Sequence, residues 1–141
     1  MNDGPPEGYQ PLDFPSPFLQ FIGPVYVRQE PDGPRFGLRV EPRHANARGT
    51  AHGGLLMTLA DIALGYATAI THDPPIPLIT ANLTADFASA ARLGDWLEVK
   101  VDIIRADGDT AFANAFICVG PKRLARVSGV FGLLGPGPPA Q

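Results

Sequence analysis

The apolar run from Gly53 to Thr71 contains one charged residue, Asp61, set among leucines, alanines and glycines. A carboxylate in such surroundings loses hydration, which is costly unless it is hydrogen-bonded. Carboxylates perturbed in this way serve as general bases or nucleophiles. The same residue also reads as a structural Asp satisfied by Thr58 or by a partner's backbone. It lies in mid-helix, where it cannot cap and where its propensity is poor.

Upstream, the segment Asn46-Ala47-Arg48-Gly49-Thr50-Ala51-His52-Gly53-Gly54 ends in a double glycine where the apolar run begins. The first turn of a helix offers free N–H groups and the positive end of the dipole. Glycine has no Cβ, so a ligand oxygen can approach the backbone closely. Such a turn can polarise a carbonyl and hold a developing oxyanion. It also reads as an ordinary glycine-rich loop, with Asn46 forming a turn through its own backbone and His52 capping. Gly53 and Asp61 are eight residues apart, about 12 Å along one helix. One carbonyl therefore meets both only if they come from two chains related by a two-fold axis.

The apolar segment from Ala51 to Ile70 is of membrane-spanning length, but Asp61 at its middle would cost about 2.5–3.5 kcal/mol in a bilayer. It reads instead as a buried helix from Gly53 to Thr71, apolar all round and therefore enclosed. On a 100° wheel, Leu55, Leu56, Leu59, Ala63 and Ile70 form the core stripe. Gly54, Met57, Thr58, Leu64, Gly65 and Thr68 share the side of Asp61. A shorter helix is expected from Ser16, as N-cap, and Pro17 to Gly23-Pro24.

Around the long helix, period-two alternation marks strands. Val25 to Gln29 and Arg35 to Glu41 flank the turn Pro31-Asp32-Gly33-Pro34. Ile79 to Phe87 puts Ala81, Leu83, Ala85 and Phe87 on one face, and Thr80, Asn82, Thr84 and Asp86 on the other. Trp96 to Arg105, Thr110 to Val119 and Leu124 to Leu134 follow, separated by short turns. One enclosed helix and one antiparallel sheet of five or six strands predict an α+β domain over 16–134, with the sheet curled around the helix. Whatever the sheet leaves open must be covered by another subunit. The Pro-rich residues 1–15 are expected as a flexible or extended arm, and residues 135–141 as a disordered tail.

Composition narrows the function. The 141 residues carry a net charge of −3, which offers no footprint for nucleic acid. The single cysteine, Cys118, excludes an internal disulfide and fits a reducing, cytoplasmic compartment. His44, His52 and His72 lack zinc-ligand spacing, and there is no G-x-S-x-G elbow.

The run Asn46-x-x-Gly49-Thr50-x-His52-Gly53-Gly54-Leu55-x-x-x-Leu59-Ala60-Asp61, followed by Thr80 and the turn Arg92-Leu93-Gly94-Asp95, resembles the hotdog-fold acyl-CoA thioesterases of the phenylacetic-acid-degradation type. The resemblance covers roughly residues 17–134. It implies dimers with continuous sheets, often paired into tetramers, and an acyl-CoA substrate whose CoA is no separate cofactor. It also implies that Gly53 N–H polarises the thioester carbonyl, while Asn46 and His52 shape the loop. The partner's Asp61 would activate water or attack directly, and Thr80 would position the water. Gly54 and Met57 would contact substrate. Arg92 and the turn Gly108-Asp109-Thr110 are candidates for the coenzyme end, although Asp109 stands where the family often has a basic residue. A hotdog dehydratase or hydratase, needing a His–acid pair, and a non-catalytic acyl-CoA binding module are the alternatives.

Overall fold

The structure, a computed structural model, describes residues 4–135. A seven-stranded antiparallel sheet wraps one long helix. The strands are β1 (Gln10–Pro11), β2 (Tyr26–Arg28), β3 (Arg35–Arg39), β4 (Leu78–Phe87), β5 (Trp96–Arg105), β6 (Thr110–Val119) and β7 (Lys122–Leu133), in the order β1-β2-β3-β5-β6-β7-β4. The helices are α1 (Pro17–Ile22) and α2 (Gly53–Ala69). This is the expected α+β hotdog arrangement. The six strands read from alternation are joined by the two-residue β1, which lies in the segment expected as an arm. There Tyr9 and Leu12 are buried on either side of the short pairing with β2. Apart from Gly135, the expected tail lies outside the described residues.

Alternation dictates how the core forms. Phe36 and Leu38 on β3, Leu97 and Val99 on β5, Ala113 and Ala115 on β6, and Val127 and Phe131 on β7 all point inward and are buried. They meet Leu55, Leu56, Leu59 and Ala63 of α2. Gly129 on β7 allows a close approach: a Cβ there would sit 3.1 Å from Leu64 Cδ1 and 2.7 Å from Phe131 Cε2. Leu64 is accordingly a core residue, and Thr68 is fully buried as well, although the wheel put both on the side of Asp61. Ile70, expected in the core stripe, follows the helix end and is 37% exposed. The curved sheet covers different flanks of α2 at its two ends, which a single wheel cannot represent.

The most consequential departure is in β4. Its register against β7 slips between Thr80 and Asn82, so Ala81 forms a β-bulge. Uninterrupted alternation places Thr80 on the outer face with Asn82, Thr84 and Asp86. In the structure Thr80 stands opposite the inward-facing Phe131, while Leu83 and Ala85 stand opposite Gly129 and Val127. The bulge therefore turns Thr80 inward, toward α2, as bulges beside functional sites do.

Candidate active site

Asp61 lies on the third turn of α2, half-buried, on the flank the sheet leaves open. The Thr80 hydroxyl, aimed by the bulge, donates to Asp61 Oδ1 at 2.7 Å. Thr58 does not serve Asp61, because its hydroxyl donates to the Gly54 carbonyl at 2.9 Å. One carboxylate oxygen is thus fixed by a hydroxyl. Among the described residues, Oδ2 accepts no protein hydrogen bond. Asp61 and Thr80 stand in an apolar cleft of about 810 Å³, also lined by Met57, Gly65, Leu83 and, from the N-terminal segment, Phe14 and Phe18. That volume lies within the range of small-molecule sites.

The start of α2 is organised by His52. As N-cap, its Nδ1 accepts from Gly54 N–H at 2.8 Å, and its carbonyl accepts from Leu55 and Leu56. An acceptor Nδ1 leaves the proton of the neutral ring on Nε2. With those donors occupied, Gly53 N–H is the first-turn amide that has no partner among the described residues. The space in front of Gly53 is open: a Cβ there would meet nothing closer than Phe87 Cζ at 3.8 Å. This is a free donor at the positive end of a 17-residue helix, in the arrangement that suits a developing oxyanion.

Asn46 builds the approach to that helix. Its Oδ1 accepts from the backbone N–H groups of Arg48 and Thr50 at 2.9 and 3.2 Å, and its Nδ2 donates to Thr50 Oγ1 at 2.9 Å. The Asn46 side chain is spent on its own loop, which Gly49 closes at φ +78°. Sequence reasoning missed His44. This buried ring accepts from Glu41 N–H through Nδ1 at 2.9 Å and contacts the Ile22 carbonyl through Nε2 at 2.7 Å. The first contact makes Nδ1 the acceptor and Nε2–H the donor. The His44 carbonyl then accepts from His52 N–H at 2.8 Å. Arg43 adds hydrogen bonds to the Phe21 and Gly23 carbonyls. Together these tie the end of α1 to the start of α2; the legible hint was Pro42 opening a helical turn after Glu41.

The coenzyme candidates do not converge within one chain. Arg92 is exposed beside the start of α2, where it bridges to Thr50 and its N–H donates to Asp95 at 2.8 Å. The turn containing Gly108, Asp109 and Thr110 lies toward the other end of α2. His72, just beyond that helix, bonds the nearby Ala106 carbonyl at 2.7 Å. A helix of 17 residues separates the two by about 25 Å. Cys118 is half-buried in β6, and burial pushes its thiol up, away from nucleophilic character. Among the described residues no cluster of His, Cys, Asp and Glu could hold a metal, and no helix is long and apolar enough to cross a membrane.

A model of the thioesterase superfamily matches residues 48–125 of this sequence, the stretch from the loop before α2 into β7. The chain belongs to that superfamily. As a thioesterase-superfamily hydrolase it has a relative in Pseudomonas aeruginosa, a protein assigned as an esterase, which is 46% identical over 129 residues, 91% of this chain and 96% of its own. Human acyl-coenzyme A thioesterase 13 is 30% identical over 77 residues, which span 55% of this chain and only 54% of that protein. Among solved structures, the E. coli PaaI protein from the phenylacetic acid degradation operon superposes with a TM-score of 0.76 at 20% identity, over 86% of each chain. That likeness is one of fold, and the fold is the hotdog.

Proposed function

We propose that this thioesterase hydrolyses an acyl-CoA to free acid and CoA at a site shared by two copies of the chain. The supporting observation is a division of labour: a Gly53 N–H without a partner among the described residues at one end of α2, and a hydroxyl-held carboxylate about 12 Å further along it. In this reading the thioester carbonyl accepts from Gly53 N–H of one chain. The partner subunit's Asp61 takes a proton from a water that attacks the carbonyl carbon, or attacks that carbon itself, with Thr80 holding the carboxylate in place. As the tetrahedral adduct collapses, the C–S bond breaks and the thiolate of CoA leaves, to be protonated by Asp61 or from solvent. Where Asp61 was the nucleophile, water then cleaves the acyl–Asp61 anhydride, giving the free acid and restoring the carboxylate. CoA is part of the substrate and not a cofactor. Oligomerisation as a dimer, or a dimer of dimers, is supported by the open flank of α2 and by β4, whose unpaired edge can add a strand. The likeness to an acyl-coenzyme A thioesterase supports the substrate class, and the single cysteine, Cys118, fits a reducing, cytoplasmic compartment. A dehydratase would need a histidine nitrogen able to take a proton from carbon, whereas the neutral His52, its Nδ1 accepting from Gly54, carries its own proton on Nε2.

The test is thiol release from a panel of acyl-CoAs by the wild type and Asp61→Asn. Loss of a general base lowers kcat by about 10²–10⁴, so the variant should fall at least about a hundredfold while still binding substrate. Near-normal turnover by Asp61→Asn would sink the assignment.

A further inference from the structure

The cleft that holds Asp61 and Thr80 does not end there. It continues along α2 past Gly65 to Ile70, and nine residues of helix from Asp61 correspond to about 14 Å. Phe14 and Phe18 form its outer wall, and Ile76 lies on the loop after α2. Phe14 and Phe18 are 51% and 59% exposed, yet they are held in place. Leu12 and Leu19, beside them in sequence, are buried, and Ser16 caps α1 by accepting from Leu19 N–H. Among the described residues, Asp61 is the one charged residue lining the cleft. A second carboxylate on the acyl group would find no counter-charge there, and an amine would find only Asp61 itself, at the thioester end.

We propose that this cleft is an acyl channel for an unsubstituted, straight hydrocarbon chain of medium length, and that Gly65 and Phe18 set that length. This rests on the acyl-CoA reading above. An extended chain advances about 1.25 Å per carbon given a C–C bond near 1.5 Å, so about eleven carbons fit the span. Gly65 lies one turn beyond Asp61 on the same flank. A Cβ there would make only ordinary contacts, 3.6 Å from Leu78 Cδ1 and 3.8 Å from Phe131 Cε1. Alanine therefore fits. A larger side chain, with Leu78 and Phe131 filling the inward directions, must extend into the channel. Phe18 bounds the opposite side, and its removal widens the channel toward solvent.

The experiment measures kcat/KM by thiol release for acetyl- to palmitoyl-CoA, together with phenylacetyl- and 4-hydroxyphenylacetyl-CoA. The wild type should peak at octanoyl or decanoyl. Gly65→Leu should lower the decanoyl-to-butyryl ratio at least about tenfold, since a few carbons of misfit in an apolar pocket cost that much. Phe18→Ala should move the peak to longer chains. A ratio taken within one variant does not depend on the fraction folded, and if Gly65→Leu does not fold, the exposed Phe18 carries the test. Turnover with the same length profile in both variants overturns the channel while leaving the hydrolase reading intact. So does a preference for the hydroxylated aryl group, which would point instead to a polar partner such as Tyr66, a residue of the cleft lining. No turnover with any acyl-CoA overturns the catalytic reading and this proposal with it.

Discussion

Thr80 reaches Asp61 because one extra residue, Ala81, interrupts β4. Without the bulge its hydroxyl faces outward with Asn82 and Thr84, and Asp61 loses the partner at 2.7 Å. If Asp61 is the proposed base or nucleophile, the hydroxyl fixes which carboxylate oxygen is free to act, so it should be replaceable by another hydroxyl but not by a methyl. Thr80→Ser should keep activity within a fewfold of wild type. Thr80→Val, of nearly the same shape, should lose about tenfold or more in kcat with a smaller change in KM, because a hydrogen bond to a charged group contributes about 1.5–3 kcal/mol. Equal kcat in all three would leave Thr80 a structural residue. Alternation identified the strand but not the side of Thr80, since a bulge leaves no trace in hydrophobic periodicity. Asp61 was legible for the opposite reason: a lone charge in an apolar helix stands out against any background. For Gly53 and Asn46 the types and spacing were legible, whereas the Asn46 side chain being spent on its own loop was not.

At the scale of elements, what the sequence left obscure is how the N-terminal segment is held. Prolines there read as an absence of regular structure, yet Pro11 sits at a sheet edge, where its missing N–H is no liability. The anchor is Tyr9. Its hydroxyl donates to Glu98 Oε2 at 2.6 Å, its ring meets Trp96 edge-on at 5.0 Å, and the Arg28 guanidinium lies 4.6 Å above it. Such a clasp joins residues 89 apart and is not visible to local patterning. Burial, followed by the hydrogen bond to Glu98 and that residue's charge, pushes the Tyr9 phenol well above its ordinary range. A folded pKa above the unfolded one means that the clasp contributes fully below about pH 10 and is lost as pH rises beyond it. Alkali should therefore loosen the segment that carries Phe14 and Phe18. In Tyr9→Phe the late-titrating phenolate should vanish from the absorbance titration, and stability should fall less between neutral pH and about pH 11. An unchanged alkaline stability profile in that variant would show that Tyr9 does not clasp the segment.

The whole molecule has one feature that no single chain resolves: α2 is sheathed on the sheet side and open along Gly54, Met57, Asp61 and Gly65. An apolar helix without a solvated face predicted this, and β4 supplies a free edge beside the same flank. If two chains meet there, each site takes Gly53 from one and Asp61 from the other, since about 12 Å separates them within a chain. Gly53→Val places a branched side chain where the carbonyl must approach, in space bounded only by Phe87. Asp61→Asn removes the base. Each homo-oligomer should be nearly inactive. When the two variants are refolded together, a heterodimer holds one site with both lesions and one with neither, so activity should return to about half the wild-type value per heterodimer. Were both groups to act within one chain, every site would carry a lesion and mixing would restore nothing. Mass spectrometry of the mixture establishes that subunits have exchanged, and a mixture that has exchanged yet stays inactive would refute the shared site.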